Sequence, residues 1–362
     1  MEKSIKDIAF FLLLLLSFLL SILKNSIATD IINTGEILRD GSTLISSRGT
    51  FELGFFSPGI SKNRYVGLWY KKVPNSAVLW VLNRQIPIRS TSRHLKVIEP
   101  GQLVLLNDTD NVVWSSNTSR IAQIPILQLL ETGNLVVKEA NDDNSENFLR
   151  QSFNDLTDTY LPGANFGWNS TTGVDISLSL LTSNDDPAPG EVTFFLDPTG
   201  YPQAFVKRGA VTICRMGPWN GLGFSGAPKV GPTFRHRLFI NNSTAYYRED
   251  SIDKSIISRV TLNQSGVIQR WVWVDHTRGW VVYVTLPTDN CDTYNFCGAY
   301  GTCYIGNSPA CGCLRRFVPR DPQGWIKGDW SNGCIRRTLL NCQKGDVFLK
   351  YSIIKFPDSF HV

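Results

Sequence analysis

Val78-Leu79-Trp80-Val81-Leu82-Asn83 recurs 34 residues on as Val112-Val113-Trp114-Ser115-Ser116-Asn117, and weakly 36 further on as Phe148-Leu149-Arg150-Gln151-Ser152-Phe153. An upstream stretch repeats in step, Gly101-Gln102-Leu103-Val104-Leu105-Leu106 and Gly133-Asn134-Leu135-Val136-Val137-Lys138. Short runs rich in Val, Leu, Phe and Trp between Gly, Asn, Asp and Ser read as strands and turns. Three copies of a few strands each predict an all-β, pseudo-threefold β-prism over the first third of the chain. One Trp per copy would meet at its axis and seal the centre.

Composition bounds the remainder. The chain has 362 residues, room for two to four domains at roughly 100–200 residues each. Charged residues are 19%, too few for a disordered chain. Lys+Arg is 36 against 31 Asp+Glu, which gives none of the basic blocks of a nucleic-acid binder. Aromatics are 11%, with ten Trp, enough for several cores.

Lys3 and Lys6 precede an apolar run from Phe10 to Leu23, followed by Ser26-Ile27-Ala28. These are the parts of a secretory signal, residues 1–28. The run is 14 residues, short of the roughly 20 that cross a bilayer. A secreted chain with no membrane span is expected. Secretion exposes Asn-x-Ser/Thr to glycosylation, at Asn107, Asn117, Asn169, Asn241, Asn242 and Asn263. Asn241 and Asn242 overlap, so one of the two is expected to be used.

The eight cysteines are Cys214, Cys291, Cys297, Cys303, Cys311, Cys313, Cys334 and Cys342, seven of them beyond residue 290. Crowding of this kind marks a small module held by disulfides because its apolar core is too poor. Zinc needs C-x2-C knuckles or His partners, and neither occurs, so no metal and no cofactor is expected. Spacing alone does not choose among the fifteen pairings of six cysteines.

Ordered motifs then run along nearly the whole chain: Gly49-Thr50-Phe51-Glu52-Leu53-Gly54-Phe55-Phe56-Ser57-Pro58-Gly59, Val66-Gly67-Leu68-Trp69-Tyr70, Leu129-Leu130-Glu131-Thr132-Gly133-Asn134-Leu135-Val136, and Thr157-Asp158-Thr159-Tyr160-Leu161-Pro162-Gly163. Gly217-Pro218-Trp219-Asn220-Gly221, Cys297-Gly298-Ala299-Tyr300-Gly301-Thr302-Cys303 and Asp329-Trp330-Ser331-Asn332-Gly333-Cys334 follow. In this order they resemble the extracellular region of plant bulb-lectin-type S-domain receptor-like kinases and the related S-locus glycoproteins.

The resemblance implies a β-prism II bulb-type lectin domain over 29–155 and an S-locus glycoprotein β-region over 156–286. It further implies an EGF-like module over 287–334 and the opening of a PAN/apple domain over 335–362. It implies the disulfides Cys291–Cys303, Cys297–Cys311 and Cys313–Cys334, leaving Cys214 and Cys342 unassigned. Apolar tail residues such as Phe348, Leu349 and Ile354 would have no domain to pack against, so a mobile or partner-seeking tail is expected.

The family's sugar motif, Gln-x-Asp-x-Asn-x-Val-x-Tyr, is degenerate here. The second copy reads Ile98, Pro100, Gln102, Val104, Leu106, and the third Leu130, Thr132, Asn134, Val136, Lys138. Losing several polar partners at about 1 kcal/mol each should abolish the usual monosaccharide pocket. Gln102 and Asn134 are the weak candidates left. The family's third copy has Trp where Arg150 stands, and an unpaired buried Arg is costly. Either Arg150 turns outward, or Phe148 or Phe153 fills the axis.

Gly221-Leu222-Gly223-Phe224-Ser225-Gly226 matches G-x-G-x-x-G, but Ala227-Pro228 follows where a nucleotide site needs a helix. The family has Arg where Gly223 stands. No kinase, zincin or nucleophile-elbow signature occurs in these residues, so no catalytic residue is assigned; a longer parent would be a serine/threonine kinase. The expected function is extracellular ligand recognition, as in pollen recognition or immune perception. The ligand would be a peptide, glycan or lipid-like molecule, with homo- or hetero-dimers of related ectodomains as further partners. The alternatives are a secreted carbohydrate-binding lectin or decoy, and a fragment of a membrane receptor kinase.

Overall fold

The computed structural model describes residues 29–74, 77–89, 93–118, 120–228, 231–339, 348–352 and 354–355. The expected signal, residues 1–28, and Cys342 lie outside the described residues.

Twelve strands come first: β1 (Ile31–Asn33), β2 (Leu38–Arg39), β3 (Thr43–Ile45), β4 (Phe51–Phe56), β5 (Tyr65–Tyr70), β6 (Trp80–Val81), β7 (His94–Ile98), β8 (Gln102–Leu106), β9 (Val112–Ser115), β10 (Pro125–Leu129), β11 (Leu135–Glu139) and β12 (Arg150–Gln151). They form three four-stranded sheets, ordered β3-β4-β5-β6, β2-β7-β8-β9 and β1-β10-β11-β12. The repeated hexapeptides supply β6, β9 and β12, the last strand of each sheet. The repeated upstream stretches supply β8 and β11. β1 and β2 come from the start of the described chain and pair with β10 and β7. A sheet of this kind therefore closes only when distant segments meet.

The chain divides into two compact units. The first holds the residues up to Phe55, with Leu68–Ala77 and Ser90–Leu149. The second holds Phe56–Gly67, Val78–Arg89 and the residues from Arg150 on. In the first unit the two-residue period of a pleated strand sets the core. Along β7, Leu95 and Val97 are buried and His94, Lys96 and Ile98 are not. Leu44, Leu53, Leu103, Leu105, Leu127 and Val136 join them.

Glu52 on β4 accepts from Trp69 Nε1 (2.9 Å) and Thr43 Oγ1 (2.9 Å) and pairs with Lys71 (3.2 Å). Burial alone would raise its carboxyl, but these partners outweigh burial and hold it below the usual range. A depressed carboxylate contributes stability that is complete above its unfolded value, near ~4.3, and is lost as pH falls through the folded value. Glu52→Gln is therefore expected to flatten the acid limb of this unit's stability below about pH 4.3. Urea titrations at a series of pH values would measure it, and an unchanged acid limb would refute it.

The second unit repeats the scheme with β13 (Thr159–Tyr160), β14 (Asn165–Asn169), β15 (Val174–Ile176), β16 (Leu178–Ser183), β17 (Asp186–Asp197), β18 (Gln203–Arg208), β19 (Val211–Met216), β20 (Phe234–Ile240), β21 (Thr244–Ser251), β22 (Ser258–Leu262), β23 (Ile268–Val274) and β24 (Gly279–Leu286). Again there are three four-stranded sheets, β13-β22-β23-β24, β15-β14-β21-β20 and β16-β17-β18-β19. Val78–Arg89 is sewn into this unit. Arg84 donates to Pro187 O (2.8 Å), Ser179 Oγ (2.9 Å) and the carbonyls of Ser179 and Leu180. Trp80 Nε1 donates to Asp155 O (2.6 Å), and Thr157 Oγ1 to Leu79 O (2.8 Å).

Arg150 takes neither expected course in full. Its side chain stays largely covered, and its guanidinium lies 3.8 Å from the Asp155 carboxylate. An internal partner five positions away thus offsets the cost that argued for an outward turn. Phe153 is buried as well.

Two ribbons follow, β25 (Gly301–Cys303) with β26 (Cys311–Cys313) and β27 (Phe317–Pro319) with β28 (Cys334–Arg336). Between them lies α1 (Pro322–Ile326), capped by Asp321, which accepts from Gln323 N and Gly324 N. Disulfides join Cys291 to Cys303, Cys297 to Cys311 and Cys313 to Cys334. Among the described residues Cys214 is unpaired and buried, and burial pushes its thiol up to about 11. In the tail, Phe348, Leu349 and Ile354 are exposed. Two points nevertheless hold it: Tyr351 Oη accepts from Arg315 N (2.9 Å), and Lys355 is bound as described below.

Candidate functional site

The second unit encloses a cavity of about 590 Å³ lined by residues of all three of its sheets. Strand register explains the lining. Val260, Arg270 and Val284 stand in one row across β22, β23 and β24, and Ile268 and Leu286 form the next. Across from them His236 on β20 pairs with Glu249 on β21, two residues along from Tyr247. Phe166 and Phe194 stack at 4.5 Å on another wall.

Charge is concentrated on one side. Arg270 donates from Nη2 to Glu249 Oε2, and its guanidinium carbon lies 4.2 Å from the centre of the Phe234 ring. Glu249 Oε2 also accepts from Tyr247 Oη (3.3 Å) and lies 3.5 Å from His236 Nδ1, which itself bonds Tyr247 Oη. Tyr160 Oη accepts from Glu249 N (2.9 Å) and donates to Ala164 O (2.9 Å). Burial holds the His236 imidazole below its usual range, against the opposing pull of Glu249. Burial, reinforced by Glu249, pushes the Tyr247 phenol well up. Glu249 and Arg270 are 1% and 6% exposed, yet Glu249 Oε1, Arg270 Nη1 and His236 Nε2 have no hydrogen-bond partner among the described residues.

Residues 217–228 roof the cavity. Gly217 N donates to Ser225 O (2.9 Å), Trp219 bridges to Phe224, and Asn220 Oδ1 accepts from Leu222 N and Gly223 N. Trp219 and Phe224 meet edge to face at 5.3 Å, and both approach Tyr247. The glycine-rich stretch Gly221–Gly226 is thus a strand-free cap and leads into no helix. Lys355 lies beside Gly217 and Gly226, near the roof's two ends. Its Nζ donates to Arg215 O (2.5 Å) and lies 3.5 Å from Asp292. A Cβ on Gly217 would meet Lys355 Cγ at 2.9 Å, and one on Gly226 would meet Lys355 Nζ at 3.2 Å.

The sequence-derived sugar candidates lie in the first unit. Gln102 Nε2 donates to Ser116 O (3.2 Å). Asn134 is buried in the turn between β10 and β11, where Leu130 N donates to its carbonyl and Gly133 takes φ +83°. Val104 and Val136 are buried. Of the sequon asparagines, Asn107, Asn169, Asn241 and Asn263 each accept at Oδ1 from the backbone N–H two positions on. Asn117 and Asn242 are exposed. None of these residues lines the cavity.

Comparison with known proteins matches residues 77–181 to the D-mannose binding lectin family and residues 214–321 to the S-locus glycoprotein domain, which includes the roof and β20–β24. The chain is 35% identical to S-locus-specific glycoprotein S6 of Brassica oleracea, over 96% of this chain and 80% of that one. It belongs to the S-locus glycoprotein family. It is also 37% identical to receptor-like serine/threonine-protein kinase SD1-8 of Arabidopsis thaliana, over 92% of this chain and 40% of the relative. It therefore spans about two-fifths of the length of the receptor-like kinases it matches. Among solved structures it is similar to the mannose-specific agglutinin of snowdrop (Galanthus nivalis) bulbs, with 21% identity, 32% of this chain and 94% of that chain covered, and a TM-score of 0.25. As an S-locus family ectodomain it is an extracellular recognition module, and its three disulfides suit an oxidising compartment. No helix among the described residues is long and apolar enough to cross a membrane.

The cavity was not legible in the sequence. Arg270 begins the alternating run Arg270-Trp271-Val272-Trp273-Val274, which reads as a strand with one wet face. The usable signal was phase. Arg270 is two positions from buried Ile268, and Glu249 two from Tyr247 and four from buried Ala245.

Proposed function

We propose that this chain recognises a small extracellular ligand in the S-locus unit and catalyses no reaction. The observation that supports this is the apolar cavity with a charge cluster locked on one side. Arg270, Glu249, Tyr247 and His236 bond to one another along that side, which suits a fixed binding wall. The degenerate sugar positions of the lectin unit, with Asn134 buried, favour a ligand other than mannose. Around this site the residues 287–334 act as an EGF-like spacer, and those from 335 open a PAN/apple domain. Residues 1–28 direct secretion, and the sequon asparagines carry glycans. A role in pollen recognition or immune perception, with pairing to a related ectodomain, fits the receptor kinases the chain resembles.

The test is hydrogen exchange of the secreted chain with candidate glycans, peptides and amphiphiles. The expected result is slowed exchange over 217–228 and β21 with a bound ligand. Retention on a mannose column with protection confined to β8 and β11 would move recognition to the lectin unit and overturn the reading.

A further inference from the structure

We propose that Asn241, and not Asn242, carries the N-linked sugar of their shared turn, and that the first sugar residues lie over the outward ring pair Phe239 and Tyr246. This rests on the reading that the sequon asparagines are glycosylated.

Strand phase puts the pieces on one face. His236 on β20 and Tyr247 and Glu249 on β21 line the cavity. Side chains alternate along a strand, so Arg237, Phe239 and Asn241 turn outward on one strand, and Thr244, Tyr246 and Arg248 on the other. The register pairs Arg237 with Arg248 and then Phe239 with Tyr246. Asn241 N donates to Thr244 O (2.9 Å) and closes the next row of that face. Asn241 therefore stands two positions from Phe239, about 7 Å along the strand.

The rings form a platform. They stack at 4.9 Å with their planes 29° apart, and Phe239 is 39% exposed. On one side the Arg237 guanidinium carbon lies 5.6 Å from the centre of the Phe239 ring, and Asp250 pairs with Arg237 and Arg248. An ion-paired row thus borders the rings on that side, and Asn241 borders them on the other. A pyranose has a face of C–H groups, and laid on an aromatic face it buries apolar area while its hydroxyls stay in water. A single exposed ring needs no occupant. A stacked pair one row from a glycosylation asparagine has an occupant tethered within reach.

Local geometry separates the two overlapping sequons. Asn241 Oδ1 accepts from Ser243 Oγ (3.2 Å), Ser243 N (2.9 Å) and Thr244 N (2.8 Å). The sequon hydroxyl is thus bonded to the very amide that takes the sugar, and the linking atom, Nδ2, is left for it. Asn242 is one position out of phase with Phe239, so a sugar there would leave the rings bare.

The test uses the full chain secreted from plant cells. Enzymatic deglycosylation in heavy-oxygen water converts each glycosylated Asn to a labelled Asp, which mass spectrometry locates; the label is expected on Asn241. Hydrogen exchange then compares native glycosylated and deglycosylated protein carrying Thr171→Ala, which removes the sequon of Asn169, the residue paired with Thr244 on the next strand. Loss of the sugar should speed exchange over 239–246 about fivefold, and Phe239→Ser should abolish that difference. A label on Asn242, or on neither while other sequons are labelled, overturns the placement alone. No labelled sequon at all overturns the glycosylation reading with it. Unchanged exchange on sugar removal, or an equal change in Phe239→Ser, overturns the ring platform. Should Phe239→Ser not be secreted, Tyr246→Ser takes its place with the same expectation.

Discussion

Arg270→Met is expected to destabilise the S-locus unit by about 3–5 kcal/mol, because it strands the Glu249 carboxylate at 1% exposure. The loss exceeds the worth of the salt bridge itself. Tyr247 Oη and His236 Nδ1 would remain beside Glu249 Oε2, but no permanent cation would face it. Desolvation of an unmatched charge is the dominant cost. The double variant Arg270→Met with Glu249→Leu removes both charges and should recover most of the loss, as buried pairs replaced by apolar side chains commonly do. Urea unfolding of Arg270→Met, Glu249→Leu and the double variant gives the coupling energy. A single variant within about 0.5 kcal/mol of the parent would mean that water reaches the cluster, and the account of a dry charged wall would fail.

The second large effect concerns Cys313 and Cys334, whose joint replacement by serine should cost about 2–4 kcal/mol. The buried side chains among the described residues 291–339 are Cys297, Cys311 and Cys334, all half-cystines. Sulfur therefore fills the buried interior of this module, with the ring pairs Phe296–Trp330 and Tyr300–Phe317 only part-buried or exposed around it. The bridge spans 21 residues and ties β26 to β28. Hydrogen exchange should show lost protection in β27 and β28, with β13 to β24 unchanged. Retained protection in β27 and β28 would show that the ribbon is held by packing on its neighbours.

Much of the architecture could be read from residues alone because its signals are local. The Trp80, Trp114 and Arg150 copies mark the last strand of each of the first three sheets, and turn residues separate them. What could not be read is non-local. Nothing in Ile31–Asn33 announces its partner, Pro125–Leu129. Nor does Val78–Arg89 show that Arg84 bonds to carbonyls some hundred positions later. The cavity escaped for a related reason. It is assembled from single inward positions on many strands, and each such position looks like ordinary core. Arg150 shows the limit of reasoning about one residue at a time, since its pairing with Asp155 depends on the turn between them.

Lys355 reaches back 140 positions to Arg215 and lies against both glycines from which the roof springs. A pull applied at that lysine would load the end of β19 at Arg215 together with the roof beside it. Tension along the C-terminal segment and occupancy of the space beneath would then oppose or reinforce one another, as a leash does a latch.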